Sequence, residues 1–81
     1  MINCKLINFD CAQELVSVCR RYDEDIDVIC GRYIIDGKST LGVASLVGNH
    51  VSIEINTEDG SVKEKFKKEM EKALNESRNY Q

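Results

Sequence analysis

Apolar and polar residues alternate with a period of two in several short stretches of the chain, which is the pattern of half-buried β-strands. INCKLIN shows this alternation near the start and VSIEI shows it most clearly later on. Between them, IDVIC and YIID flank Gly31 and Arg32, a spacing that predicts a β-hairpin. The pattern therefore predicts four strands.

The period changes to that of an amphipathic helix in DCAQELVSVCRRY, where apolar residues recur at i, i+3, i+4 and i+7. Asp10 followed by Gln13 fits a capping box at its start, with Asn8 as an alternative cap. Arg20 and Arg21 suit the C-terminal turn, where a cation interacts favourably with the helix dipole.

Two further helices are predicted after the hairpin. STLGVASL is a short helix with Ser39 as its N-cap. The last helix begins with a second capping box, Ser61 and Glu64, and continues with an apolar stripe. The resulting order is β-α-β-β-α-β-α, an α+β fold in two layers, formed by a single domain over residues 1–81 with a polar C-terminal tail after about residue 75.

Composition narrows the class of protein. The chain has 81 residues, of which 42% are hydrophobic and 31% charged, as in an ordinary globular domain. No apolar run approaches the roughly 20 residues of a membrane span, and no export signal is recognisable, so we expect no membrane association and a cytoplasmic location. A net charge of −3, with lysines and glutamates alternating in KEKFKKEMEK, argues against nucleic acid as a partner.

The four cysteines are scattered, with no C-x-x-C pair, and we expect them to be reduced. Cys4, Cys19 and Cys30 fall at apolar positions, which predicts that they act as small buried hydrophobic residues. His50 is the single histidine and is interpreted as a loop or edge residue. With no pair of ligands at a suitable spacing, we expect no metal and no cofactor.

The segment GKSTLGVASL, Gly37 to Leu46, matches a K-S-I-M-G-V-M-S-L type segment at Lys38, Ser39, Gly42, Val43, Ser45 and Leu46. RYDEDIDV falls without a gap on a K-F-x-S-D-I-x-L stretch. In these residues and in element order, the chain resembles the HPr family of phosphocarrier proteins of the sugar phosphotransferase system. The resemblance implies an open-faced sandwich, in which three helices cover one face of a four-stranded antiparallel sheet. The connection between Leu46 and Val51 is a few residues shorter than is usual in that family.

The resemblance also locates a degenerate phosphocarrier site. The family pattern H-A-R-P-A, which supplies the phosphoryl-accepting histidine at the start of the first helix, aligns with NFDCA in this chain. Asn8 stands at the histidine position, and its amide nitrogen is a poor nucleophile because its lone pair is delocalised. Asp10 stands at the position of the arginine and reverses the local charge. Asn8, Asp10 and Cys11 therefore predict no catalytic residue and no enzyme activity at this site.

A regulatory role is what the resemblance leaves. Histidine-less members of the family, of which Crh is an example, keep the serine at the second helix, which a dedicated kinase phosphorylates, and they act on a transcription factor. Ser39 matches that serine and is the candidate for regulatory phosphorylation. Thr40, Leu41 and Ala44 form a smaller and more polar version of the family's docking patch. The implied partners are proteins, such as a serine kinase or transcription regulator of HPr type.

Two alternatives remain open. The first is a phosphocarrier with an atypical site. The second is a thiol-based redox role of Cys11, because a helix N-terminus lowers the pKa of a thiol. Asp10 opposes that effect, and no resolving cysteine is close in sequence.

Overall fold

The seven elements predicted from the sequence are present in the predicted order. A computed structural model describes residues 1–78. Its elements are β1 (Ile2–Lys5), α1 (Phe9–Cys19), β2 (Ile26–Cys30), β3 (Tyr33–Asp36), α2 (Thr40–Ala44), β4 (His50–Ile55) and α3 (Gly60–Arg78). The polar tail predicted after about residue 75 is helical as far as Arg78, and its last residues, 79–81, lie outside the described part.

The four strands form one antiparallel sheet in the order β1-β4-β2-β3. Ile53 of β4 lies between Ile2 of β1 and Val28 of β2. β4 is therefore a central strand that pairs with both β1 and β2. The β2–β3 hairpin turns at Gly31 and Arg32, as predicted. Gly31 has a φ of +58° and Arg32 has no positive φ, which fits a two-residue turn with glycine at its first central position.

All three helices bury their apolar side chains against the same face of the sheet. The strands contribute every second residue to this core, and each helix contributes its apolar stripe; the buried members include Leu15, Val28, Val43, Ile53, Phe66 and Met70. Alternate strand residues such as Asn3 and Glu54 are exposed on the opposite face. The predicted α+β sandwich with one open face is confirmed.

Polar contacts hold α1 against α3 at the edge of the core. Tyr22 follows α1 and packs edge-to-face on Phe66, with 5.3 Å between ring centroids. Its hydroxyl donates to Glu69 Oε1 at 2.9 Å, and Arg21 pairs with the same carboxylate at 3.5 Å. The aromatic contact stabilises the fold beyond the burial of the two rings, because edge-to-face rings attract each other electrostatically.

Both predicted capping boxes are wrong. Asn8, the alternative, caps α1: its backbone is extended, and its side chain accepts the N–H of Cys11 at 2.9 Å. In α3 the cap is Asp59, whose carboxylate accepts the N–H groups of Ser61 at 2.9 Å and Val62 at 3.4 Å. The Ser61 hydroxyl and these N–H groups hold the pKa of Asp59 below its usual value. A carboxylate just before the first turn is placed to cap more effectively than a hydroxyl within it.

His50 is neither a loop residue nor on an edge strand. It is the first residue of β4, a central strand, where it lies opposite Lys5 and is exposed to solvent. The strand extends one residue further than its apolar alternation indicated, because backbone pairing does not require an apolar side chain.

Glycine at position 42 lets α2 approach β3 closely. A Cβ built on Gly42 would lie 2.7 Å from Ile35 Cγ2 and 3.1 Å from Ser39 Oγ. Ile35 cannot move aside cheaply, because the χ1 angle of a β-branched side chain is stiff. No residue larger than glycine fits here without displacement of the helix or of Ile35.

We expect Gly42→Ala to lower the free energy of unfolding by about 1–3 kcal/mol through overpacking. Gly60→Ala is the matched control, because a Cβ at Gly60 meets nothing within 4 Å. The Gly60→Ala variant should unfold at the same urea concentration as the wild type or at a slightly higher one. Urea denaturation of both variants tests this, and equal stability would contradict the close approach.

Candidate functional site

The start of α1 is closed by its own cap. The Asn8 Oδ1 atom accepts the N–H of Cys11, and the Asn8 carbonyl accepts the N–H of Ala12 at 3.3 Å. The N–H groups of a helix N-terminus form an anion-binding position. Here an uncharged side-chain oxygen satisfies one of them.

The three residues after Asn8 point in different directions. Phe9 is 49% exposed, Asp10 is exposed in the first turn, and Cys11 is fully buried in the core. The positive end of the α1 dipole stabilises the Asp10 carboxylate, and this carboxylate would repel an incoming anion. The buried Cys11 thiol is out of reach of a reactant in solvent.

Ser39 is the N-cap of α2, as predicted. Its φ and ψ of −93° and 108° are extended, and its Oγ accepts the N–H of Gly42 at 3.2 Å. Asp36 fixes the backbone just before the cap. Its carbonyl accepts the N–H of Ser39 at 3.0 Å, and its Oδ1 accepts the N–H of Lys38 at 2.9 Å. The side chain of Ser39 is thus fixed at the start of the helix while the residue stays partly exposed.

Arg20 ties the end of α1 to the residues on both sides of Ser39. Its Nε donates to the carbonyl of Lys38 at 3.1 Å, and its Nη2 donates to Thr40 Oγ1 at 3.2 Å. The guanidinium therefore lies at the start of α2, against the two residues that flank Ser39. In sequence, Lys38 adds a second positive charge to this segment and Asp36 adds a negative one.

The docking-patch residues differ in exposure. Leu41 is 85% exposed, whereas Thr40 and Ala44 are partly buried. Thr40 also borders a shallow depression between α1 and α2, which Gln13 and Ser17 line from the other side. The exposed apolar area at α2 is thus mostly that of one leucine.

The structure separates the predicted site residues into two groups. Asn8, Asp10 and Cys11 form the start of α1, whereas Ser39, Thr40, Leu41 and Ala44 form the start and outer side of α2. Sequence reasoning missed Arg20, which it assigned to the helix dipole. No local signal could have found its role, because its two acceptors lie 18 and 20 positions away.

Other features of the described residues do not add a site. Within residues 1–78, no group of three His, Cys, Asp or Glu side chains is arranged to hold a metal ion, and no helix is long and apolar enough to cross a membrane. All four cysteines are thiols. Burial raises the pKa of the Cys19 thiol to about 12, because the thiolate would lose its hydration.

Comparisons with known proteins show the fold. No family model matches the chain, and no curated protein matches it. Among solved structures, it is similar to HPr-C-His from Thermoanaerobacter tengcongensis, with a TM-score of 0.71 and 19% identity over 94% of this chain and 91% of the other. It is also similar to the phosphocarrier protein HPr from Bacillus anthracis str. Ames, with a TM-score of 0.63 and 19% identity over 89% and 92%. The chain has an HPr-like fold.

We expect Ser39→Ala to cost about 1 kcal/mol of stability, because the N–H of Gly42 loses its acceptor. Ser39→Asp should retain most of that stability, since aspartate also caps and its charge suits the helix N-terminus. Thermal or urea unfolding measures both. Ser17→Ala on the exposed side of α1 is the control and should leave stability unchanged or slightly raised. If Ser39→Ala unfolds like the wild type, the hydroxyl contributes no cap.

We expect iodoacetamide to modify the partly buried Cys30 well before Cys11 and Cys19, which are buried in the core. Buried thiols are inert until the protein opens. Mass spectrometry of peptides from a time course at neutral pH gives the order, and the same reaction in urea should remove the difference. Rapid native alkylation of Cys11 would show an accessible, activated thiol.

Proposed function

We propose that this protein is a non-catalytic interaction module of HPr type, regulated by phosphorylation of Ser39. The observation that carries the proposal is the placement of Ser39 at the cap of α2. It lies between Lys38 and Thr40, which the Arg20 guanidinium bridges, and it is followed by the exposed Leu41.

A phosphoryl group on Ser39 would find favourable electrostatics. A phosphate oxygen can replace the hydroxyl oxygen as acceptor for the N–H of Gly42. Arg20 is a planar donor that suits phosphate, and Lys38 adds a second positive charge. Asp36 opposes the added charge, so the balance rests on the two cations.

The same modification would change what a partner meets. Arg20 is held by the Lys38 carbonyl and by Thr40. A phosphate would compete for its donors and add negative charge beside Leu41. The expected partner is a protein with an apolar surface that contacts Leu41. A partner that binds the phosphorylated form would also place cationic side chains next to the phosphate.

The start of α1 does not support a carrier role. Asn8 offers no phosphoryl-accepting nitrogen, and its side-chain oxygen already caps α1. Asp10 places a negative charge in the first turn of the helix. A thiol role of Cys11 has even less support, because its side chain is fully buried. Regulation at Ser39 needs none of these groups.

The test is incubation with an HPr-type serine kinase and ATP, followed by mapping of the modified residue by mass spectrometry. We expect phosphate on Ser39. Ser39→Ala should abolish it, whereas Ser45→Ala should leave it, since Ser45 is an exposed hydroxyl at the other end of α2. Affinity capture with Ser39→Asp should retain a different set of cytoplasmic proteins from the wild type.

A second arm separates the carrier alternative. We expect no acid-labile phosphate after incubation with phosphoenolpyruvate and the general phosphotransferase enzyme. Acid-labile phosphate on any residue would favour an atypical carrier. No kinase product, together with identical captures for wild type and Ser39→Asp, would leave Ser39 as a structural cap alone.

A further inference from the structure

β3 is an edge strand whose outward backbone groups can be assigned. The N–H of Gly37 donates to the carbonyl of Ile26 at 2.8 Å, so these two residues form a hydrogen-bonded pair. Such pairs alternate along an antiparallel ladder. Ile35 therefore faces β2 with its N–H and C=O, whereas Ile34 and Asp36 direct theirs away from the sheet.

The side chains of this edge are unusually apolar for an exposed position. Ile34 is 67% exposed and Tyr33 is 69% exposed. An edge strand with large apolar side chains is a template for another strand unless charges block it. The charges here, Arg32 before the strand and Asp36 at its end, have opposite sign.

We propose that β3 pairs antiparallel with β3 of a second copy of this chain, about a two-fold axis at Ile34. This register sets Ile34 opposite Ile34 of the second copy and Tyr33 opposite its Ile35. Arg32 then lies opposite Asp36 of the second copy, and the two-fold repeats that contact. Aromatic with β-branched pairs and pairs of opposite charge are the cross-strand pairs that stabilise a sheet.

The neighbouring register is disfavoured by the same residues. An axis at Ile35 would set Ile34 opposite Asp36 and Arg32 opposite Lys38, which pairs an apolar side chain with a charge and two cations with each other. An axis between residues is excluded, because outward-directed backbone groups would then face inward-directed ones. Of these registers, only the one with its axis at Ile34 sets opposite charges, and an aromatic and a β-branched side chain, opposite each other.

Charge within the monomer favours the same contact. On the open face, Asp36 lies opposite Asp27, and Asp27 lies opposite Glu54. Like charges directly opposite each other are destabilising. Arg32 of the second copy would lie on the outer side of Asp36 and offset this repulsion. Asp36 keeps its bond to the Lys38 N–H, because a carboxylate has several acceptor positions.

The association is expected to be weak. The strand has four residues, and the Asp36 carbonyl already accepts the N–H of Ser39. The backbone bonds available are the two at Ile34 and one from each Asp36 N–H. A symmetric contact of this size forms a dimer at high protein concentration rather than an obligate one.

Sedimentation velocity over a concentration series tests the pairing with two charge reversals. Arg32→Asp sets carboxylate against carboxylate, and Asp36→Arg sets guanidinium against guanidinium. We expect the wild type to move towards twice the mass of one chain and each variant to stay monomeric. An equimolar mixture of the two variants restores both opposite-charge contacts, so it should dimerise at least as well as the wild type.

Matched controls are Lys72→Asp and Glu71→Arg, which make the same changes of charge on the exposed side of α3. Each should self-associate like the wild type. Circular dichroism checks that every variant folds. If Asp36→Arg does not, Ile34→Lys replaces it: it places two ammonium groups at the axis and should be monomeric.

A wild type that remains monomeric at the highest concentration overturns the proposal and leaves β3 open to an extended segment of a different protein. Variants that dimerise like the wild type, or a mixture that stays monomeric while the wild type associates, overturn this register. None of these outcomes depends on Ser39, so the test is independent of the proposed function.

Discussion

The close approach of α2 to β3 at Gly42 is the constraint on which the region around Ser39 depends. Because no side chain separates Gly42 from Ile35, the short helix lies directly on the edge of the sheet. With α2 this close to the sheet, Val43 is buried in the core. Ser39 Oγ accepts the N–H of Gly42, and the Arg20 guanidinium donates to Lys38 and Thr40. A five-residue helix has little stability of its own. Its cap and its packing therefore support each other, and the candidate regulatory residue is also part of the structure.

Sequence pattern predicted the elements well because one face of the sheet is buried. Burial of alternate residues is a strong constraint, since a slip by one position would expose the whole apolar set. The helix starts were harder, because polar residues that can cap lie within two or three positions of one another. Whether Asn8 or Asp10, and Asp59 or Ser61, accepts the first N–H groups depends on where the preceding strand delivers the chain. Arg20 lay beyond local reasoning, since its partners Lys38 and Thr40 flank the cap of another helix, 18 and 20 positions away.

The fold and the chemistry at the start of α1 are separable. The core requires Leu15, Val16 and Cys19 of that helix to face inward, and these positions do not constrain residue 8 beyond its capping. Asparagine meets the capping requirement as a neutral acceptor. An HPr-like architecture is therefore compatible with a neutral capping residue at this position, which is why fold alone does not fix function.

The position of β4 between β1 and β2 has a consequence for synthesis on the ribosome. Among the strands of residues 1–78, the β2–β3 hairpin is the only pairing between neighbours in sequence, so it can form as soon as it emerges. β1 emerges first but has no partner until β4 follows, because Ile2 pairs with Ile53. During that interval β1 has no strand to pair with in this sheet, although it carries apolar residues on one side. β1 thus precedes the other strands of this sheet but is paired only when β4 follows, and an interruption of translation before β4 would leave a hairpin rather than a partial sheet.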